Sequence, residues 1–134
     1  MCIRDRKFTI AVDFDGTIVE HAYPEIGEEI PGAITTIKAL QAAGHAVFLW
    51  TARPGIKRIE AEEWLGKRGV ELDAPTYYGP DCTKALADIY IDDRAIGCPM
   101  GQAGPKGEFR PYVDWQAISE YFVRMGALKN ASFD

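Results

Sequence analysis

The stretch FTIAVDFDGTIVEH, Phe8 to His21, decides how the chain is read. An apolar, β-favouring run, Phe8 to Val12, passes without a break into two aspartates one residue apart, then Gly16-Thr17 and further apolar chain. A run that is continuously apolar, not alternating, is the pattern of a parallel strand covered on both faces. Such a strand ending in paired carboxylates places charge where an open parallel sheet binds its ligands, beyond the carboxyl ends of the strands.

Two further strands are expected at Ala46–Trp50 (AVFLW) and Asp88–Ile91 (DIYI), with a weaker one at Pro75–Tyr78 (PTYY). Between them the apolar spacing predicts helices. One starts near Pro31, stops at Gly44 and turns Ile34, Ile37 and Leu40 inward. The next, Ile56 to Gly69, turns Ile56, Ile59 and Trp64 inward. A short helix begins at Lys84, and a last one is capped by Asp114 and buries Ile118, Tyr121, Phe122 and Met125. The Gly- and Pro-rich stretch Gly97–Pro111 is expected to be surface loop. Strands alternating with helices imply an α/β fold, a three-layer doubly wound parallel sheet with right-handed crossovers.

The 134 residues suit one domain, 1–134, with residues 1–7 expected to be a disordered or non-native leader. Hydrophobic content of 47% and charged content of 26% are those of an ordinary globular chain. A net charge of −5 with scattered acidic residues argues against a nucleic-acid surface. No apolar run has the length of a membrane span, and the first residues lack a signal peptide's apolar segment, so a cytoplasmic protein is expected. Cys2, Cys82 and Cys98 have neither zinc-ligand nor disulfide-framework spacing and fit reduced thiols.

Polar residues follow each strand: Asp13 and Asp15 after the first, Thr51 and Arg53 after the second, and Asp92, Asp93 and Arg94 after DIYI. Together DFDGT, the Thr of FLWTAR, Lys84, and the IYIDDR whose first Asp lies eight residues on resemble the four ordered motifs of the haloacid dehalogenase (HAD) superfamily of phosphohydrolases. The resemblance implies a Rossmann-like HAD-type sheet and a Mg²⁺-dependent phosphatase. In that reading Asp13 is the nucleophile and Asp15 the general acid and base. Thr51 and Lys84 bind the phosphoryl group, and the metal is held by Asp13, the Asp15 backbone carbonyl, Asp92 and Asp93. Clustered carboxylates facing a phosphate repel strongly, about 4 kcal/mol per pair of unit charges at 4 Å and an effective dielectric of 20, so a hard cation belongs among them.

The intervals between the motifs leave no room for the cap domain of many HAD phosphatases, so a capless member is expected, with a flap, Val19–Ile30, carrying His21 and Tyr23. Open sites of that kind go with macromolecular substrates or with homo-oligomers whose neighbours close the pocket. The implied partner is a phosphorylated small molecule or an exposed phosphoryl group. A nucleotidase or polynucleotide-end phosphatase is a narrower form of the same reading. The other classes weighed are a catalytically silent HAD-fold binding module, a signalling receiver domain and a dehalogenase. A receiver's phosphorylated Asp follows the third strand, where this chain has Tyr77-Tyr78-Gly79-Pro80, and a dehalogenase requires neither Asp15 nor a metal.

Overall fold

The computed structural model describes residues 6–103 and 111–130. Three parallel strands, β1 (Thr9–Val12), β2 (Ala46–Leu49) and β3 (Ile89–Ile91), form a sheet in the order β2-β1-β3. The chain leaves β1, crosses through α1 (Ala33–Ala42) to β2 on one side, then runs through α2 (Gly55–Lys67) and returns to β3 on the other side. β1 is therefore central, and the strand order reverses around its carboxyl end, the place where such sheets open a crevice for ligands.

Register explains why β1 is apolar throughout. Ile10 lies between Val47 and Ile89, and Val12 between Leu49 and Ile91, all facing the larger core. Ala11, pointing the other way, lies between Phe48 and Tyr90 in a smaller cluster closed by the fully buried Ala85. A small central residue leaves room for two large neighbours across the pleat. Buried side chains of all three helices, including Ile37, Leu65 and Phe122, belong to the larger cluster, whereas the smaller one is covered by the non-helical segment leading into β3, so among the described residues helices back one face of the sheet and not the two expected of a three-layer, doubly wound sheet.

Several sequence expectations are corrected here. Helix α1 buries Ile34, Ile37 and Leu40 as read from the sequence. In α2 the inward stripe is Ala61 and Leu65, one turn apart, while Ile56 and Ile59 are 69% and 51% exposed. At 100° per residue both isoleucines lie roughly 150° from that stripe, so a helix that buries Ala61 and Leu65 must turn them to solvent. Trp64, at its margin, meets Phe14 edge-on at 5.6 Å.

The run Pro75–Tyr78 forms only an isolated antiparallel bridge, Thr76 with Leu86, and both tyrosines are exposed. The edge of β2 is instead met by Asp73, whose backbone N–H donates to Val47 O and whose carboxylate accepts from Val47 N. The helix expected at Lys84 is absent; residues 81–87 are irregular apart from Leu86 in its bridge to Thr76. The presumed loop contains β4 (Met100–Ala103), paired antiparallel with β5 (Pro111–Val113), and the residues between them lie outside those described.

Helix α3 (Trp115–Arg124) begins where expected, with the Asp114 carboxylate accepting from Ala117 N. It buries Trp115, Ile118 and Phe122, but Tyr121 is exposed. Of the supposed leader, residues 1–5 lie outside the described region, whereas Arg6 pairs with Asp88 at 3.3 Å and Lys7 donates to Ala43 O. Among the described residues no helix is long and apolar enough to cross a membrane.

Candidate functional site

The chain reverses immediately after β1. Asp13 N donates to Ile91 O, extending the ladder by one residue, and Phe14 O then accepts from the amides of Thr17, Ile18 and Val19. This tight turn passes through Gly16 at φ +81°, a left-handed conformation that costs glycine nothing. A Cβ at Gly16 would overlap the His21 ring and sit 2.5 Å from Asp93 Oδ2, so the position needs glycine for space as well. The turn is braced from behind, because Val113 N donates to Gly16 O and the Trp115 indole to Thr17 O.

The turn and the ends of β2 and β3 converge on a cavity of about 920 Å³. Among its lining residues are Asp13, Asp15, Thr51, Arg53, Asp92 and Arg94, with Tyr23 and Trp50 at its aromatic side. The aspartates of the two sequence motifs are thus neighbours in space, though far apart in the chain.

Asp13, Asp92 and Asp93 can each present an oxygen such that all three lie within 4.8 Å of one another. Burial, then the charge of Asp92, with a hydrogen bond and the charge of Asp93 behind them, pushes the Asp13 carboxyl up to about 8. Thr17 Oγ1 donates to Asp13 Oδ2 at 3.4 Å and accepts from Asp93 N at 3.2 Å, holding the two in register. Asp93 is 5% exposed on its side chain; its Oδ2 meets His21 Nε2 at 2.9 Å. Its buried Oδ1 has no hydrogen-bond donor among the described residues. Such an atom can take a proton shared with Asp13, or a cation. Three carboxylates with no thiolate among them are a hard donor set, so the residues fit a divalent ion such as Mg²⁺.

Asp15 faces another partner. Arg53 Nε donates to its Oδ2 and Nη2 to its Oδ1, both at 2.7 Å, a bidentate fork. The Asp15 carboxylate is accordingly outside the acidic trio, although it lines the same cavity. Arg53 is 4% exposed, and its guanidinium lies over the Phe14 and Tyr23 rings at 5.2 and 5.1 Å. The Asp15 bond raises its pKa further against the opposing effect of burial.

Thr51 Oγ1 accepts from Arg53 N at 3.2 Å, which turns the hydroxyl proton away from that bond. Lys84 is not brought to the site. It is exposed, its ammonium 4.9 Å from the centre of the Tyr90 ring, and it does not line the cavity. Without the expected helix, nothing carries it across the sheet edge. Sequence reasoning left Arg53 unassigned, although its place two residues after Thr51 put it beside the site.

No protein-family model and no curated protein matches this chain. Among solved structures, that of a conserved protein from Bacteroides thetaiotaomicron is similar, with 43% sequence identity, a TM-score of 0.69 and coverage of 89% of this chain and 90% of that one. Identity at that level over nearly the whole of both chains means common descent with a shared fold, and the chain belongs to the family of that conserved Bacteroides thetaiotaomicron protein.

Proposed function

We propose that the chain is a capless HAD-type phosphohydrolase acting on a phosphomonoester through an aspartyl-phosphate. One observation carries this reading: Asp13, Asp92 and Asp93 crowd within 4.8 Å at the end of the central strand, with a buried Asp93 oxygen lacking a donor among the described residues. A structural cluster has no use for that much repulsion, whereas a site for a cation and a phosphoryl group does. The reversal of strand order around β1 supports a Rossmann-like parallel sheet, with its helices on one face among the described residues. The stretches between the motifs hold only the flap, α1 and β2, then α2 and irregular chain, which supports the absence of a cap.

Asp13, Asp92 and Asp93 would hold Mg²⁺, which when bound supplies positive charge to the phosphoryl oxygens and to the crowded carboxylates. Asp13 attacks phosphorus, forming an Asp13 O–P bond as the ester P–O bond breaks, and Asp15, protonated on the oxygen that it turns from Arg53 to the substrate, gives that proton to the departing oxygen. Water then attacks the same phosphorus, Asp15 takes its proton, and the Asp13 O–P bond breaks to release phosphate. Thr51 donates its hydroxyl to a phosphoryl oxygen, and Arg94, at the cavity wall, faces the rest of the substrate.

The test is turnover of p-nitrophenyl phosphate with millimolar Mg²⁺, with EDTA, and in Asp13→Asn. Activity that requires the metal and disappears in Asp13→Asn is expected; turnover surviving in the variant refutes the assignment. A second reading, a HAD-fold binding module without turnover, draws on Lys84 lying outside the cavity. Mg²⁺ binding by calorimetry without turnover of any phosphate ester would establish it.

A further inference from the structure

We infer that Arg53 is the positioning residue of the site, tying the Asp15 carboxylate to the flap Val19–Ile30 so that the two move as one unit. The inference rests on the phosphohydrolase reading only in giving Asp15 the proton transfer. Three observations carry it. First, the guanidinium spends Nε and one Nη2 proton on both oxygens of Asp15, fixing the carboxylate plane. Second, the same group reaches into the flap: Nη2 also donates to Glu25 O at 2.7 Å, and Nη1 to Pro24 O at 3.4 Å. Third, its flat faces are occupied by Phe14, from the turn, and Tyr23, from the flap.

Four contacts from one planar group constrain orientation in a way that a lysine's single ammonium cannot. The flap is otherwise held to the body by bonds at its base. Ile30 N donates to Ile18 O, Arg68 at the end of α2 pairs with Glu29 at 3.0 Å and His21 meets Asp93, while Glu20 N to Glu28 O and the Val19–Glu29 bridge close the flap on itself. Between these points and its tip, where Glu25 N donates to Ala22 O, Arg53 is the tether to the end of β2. A substrate entering the cavity therefore meets an Asp15 carboxyl group whose direction is set by where the flap lies. A flap that lifts takes its carbonyls off Arg53 and loosens the fork on Asp15.

The test uses the full-length chain as wild type, Arg53→Lys, Asp15→Asn and the double variant. Hydrogen exchange is followed at the flap amides of Glu20, Glu25 and Ile30. Arg53→Lys keeps the buried charge, so it folds where a neutral substitution at this site could fail, and circular dichroism checks this for each variant. Exchange at Glu25 is expected to quicken at least about tenfold in each single variant, with no further gain in the double, the mark of residues acting as one unit. The activity arm compares p-nitrophenyl phosphate, whose leaving group needs little protonation, with an alkyl phosphate, which needs it. Arg53→Lys should lower kcat on the alkyl ester by about 10²-fold or more and on the aryl ester by less than about tenfold, since general acid catalysis contributes about 10²–10⁴. A merely structural arginine would depress both alike.

Unchanged flap exchange in both single variants, or exchange effects that add in the double, overturns the coupling. So does an equal loss on the two esters. A wild type that hydrolyses neither ester sinks the phosphohydrolase reading instead, and the exchange measurements then decide the coupling alone.

Discussion

The Asp13 carboxyl sets a trap for the metal-free protein that pH should reveal. Its value in the fold, about 8, stands well above the 3.8 of an unperturbed Asp. A carboxyl raised in the fold binds a proton there that the unfolded chain has already lost, so between pH 4 and 8 the native state carries the extra proton. Stability then falls as pH rises, present in full below about 4 and lost as pH passes through about 8. Four pH units at 1.36 kcal/mol each come to on the order of 5 kcal/mol if Asp13 bears the whole effect, and about half that if the proton is shared across the trio. Asp13→Asn cannot ionise and keeps the shape. In EDTA the variant should gain on the wild type by about 2–4 kcal/mol between pH 5 and pH 9, three of the four units lying in that window, or roughly 8–16 °C of relative Tm in a domain of this size. The assay is thermal unfolding of both proteins across that range, reading only the difference, so that titrations common to both cancel. Mg²⁺ at a hundred times its Kd should then restore about 2.7 kcal/mol to the wild type at pH 9 and much less to the variant. A wild-type minus variant difference that stays flat from pH 5 to 9 would refute the argument, for it would mean that Asp13 is neither desolvated nor pressed by Asp92.

Gly16→Ala should cost at least about 2 kcal/mol, since the positive φ strains any side chain and the added Cβ overlaps His21 and Asp93, with denaturant unfolding as the measure. Lys84→Ala should lower kcat/KM on an aryl phosphate by less than about tenfold, because the ammonium rests over Tyr90 outside the cavity. A loss of 10³-fold in steady-state kinetics would show that it swings to the phosphoryl group in the working enzyme.

What could be read from the sequence tracks how local each cause is. β1 and β2 were legible because a buried parallel strand has no polar face to hide its pattern, β3 because its short β-favouring run is bounded by aspartates although Ile91 alone is buried, and α1 because its start, its stop and its stripe agree. The cap at Asp114 was legible for the same reason, a side chain acting on an amide three residues away. Choosing the face of α2 failed. Periodicity weighs residues by size and apolarity, and so favoured Ile56 and Ile59, but burial went to Ala61 and Leu65, whose position relative to Phe14 and the sheet is a tertiary fact. The pairing of β4 with β5 was hidden by glycines and prolines that ordinarily mark loops, because it is between segments and not within either one.

The site divides along the same line. That Asp13, Asp92 and Asp93 meet follows from β1 and β3 being parallel neighbours with acidic residues at matching ends, and both facts are written in short runs. Lys84 was placed by order in the chain alone, and order fixes no direction once the expected helix is absent. Arg53 is the opposite case. Its neighbours Asp15, Pro24 and Glu25 lie 28 to 38 residues away, so no local pattern could have revealed them. Yet burying a guanidinium to 4% exposure is costly unless nearly every donor is engaged, and only a carboxylate fork with carbonyls beside it can do that here. The cost of burial is what makes Arg53 informative: a chain that keeps such a group beneath a flap, beside a pair of aspartates, has fixed the direction of Asp15 before any substrate arrives.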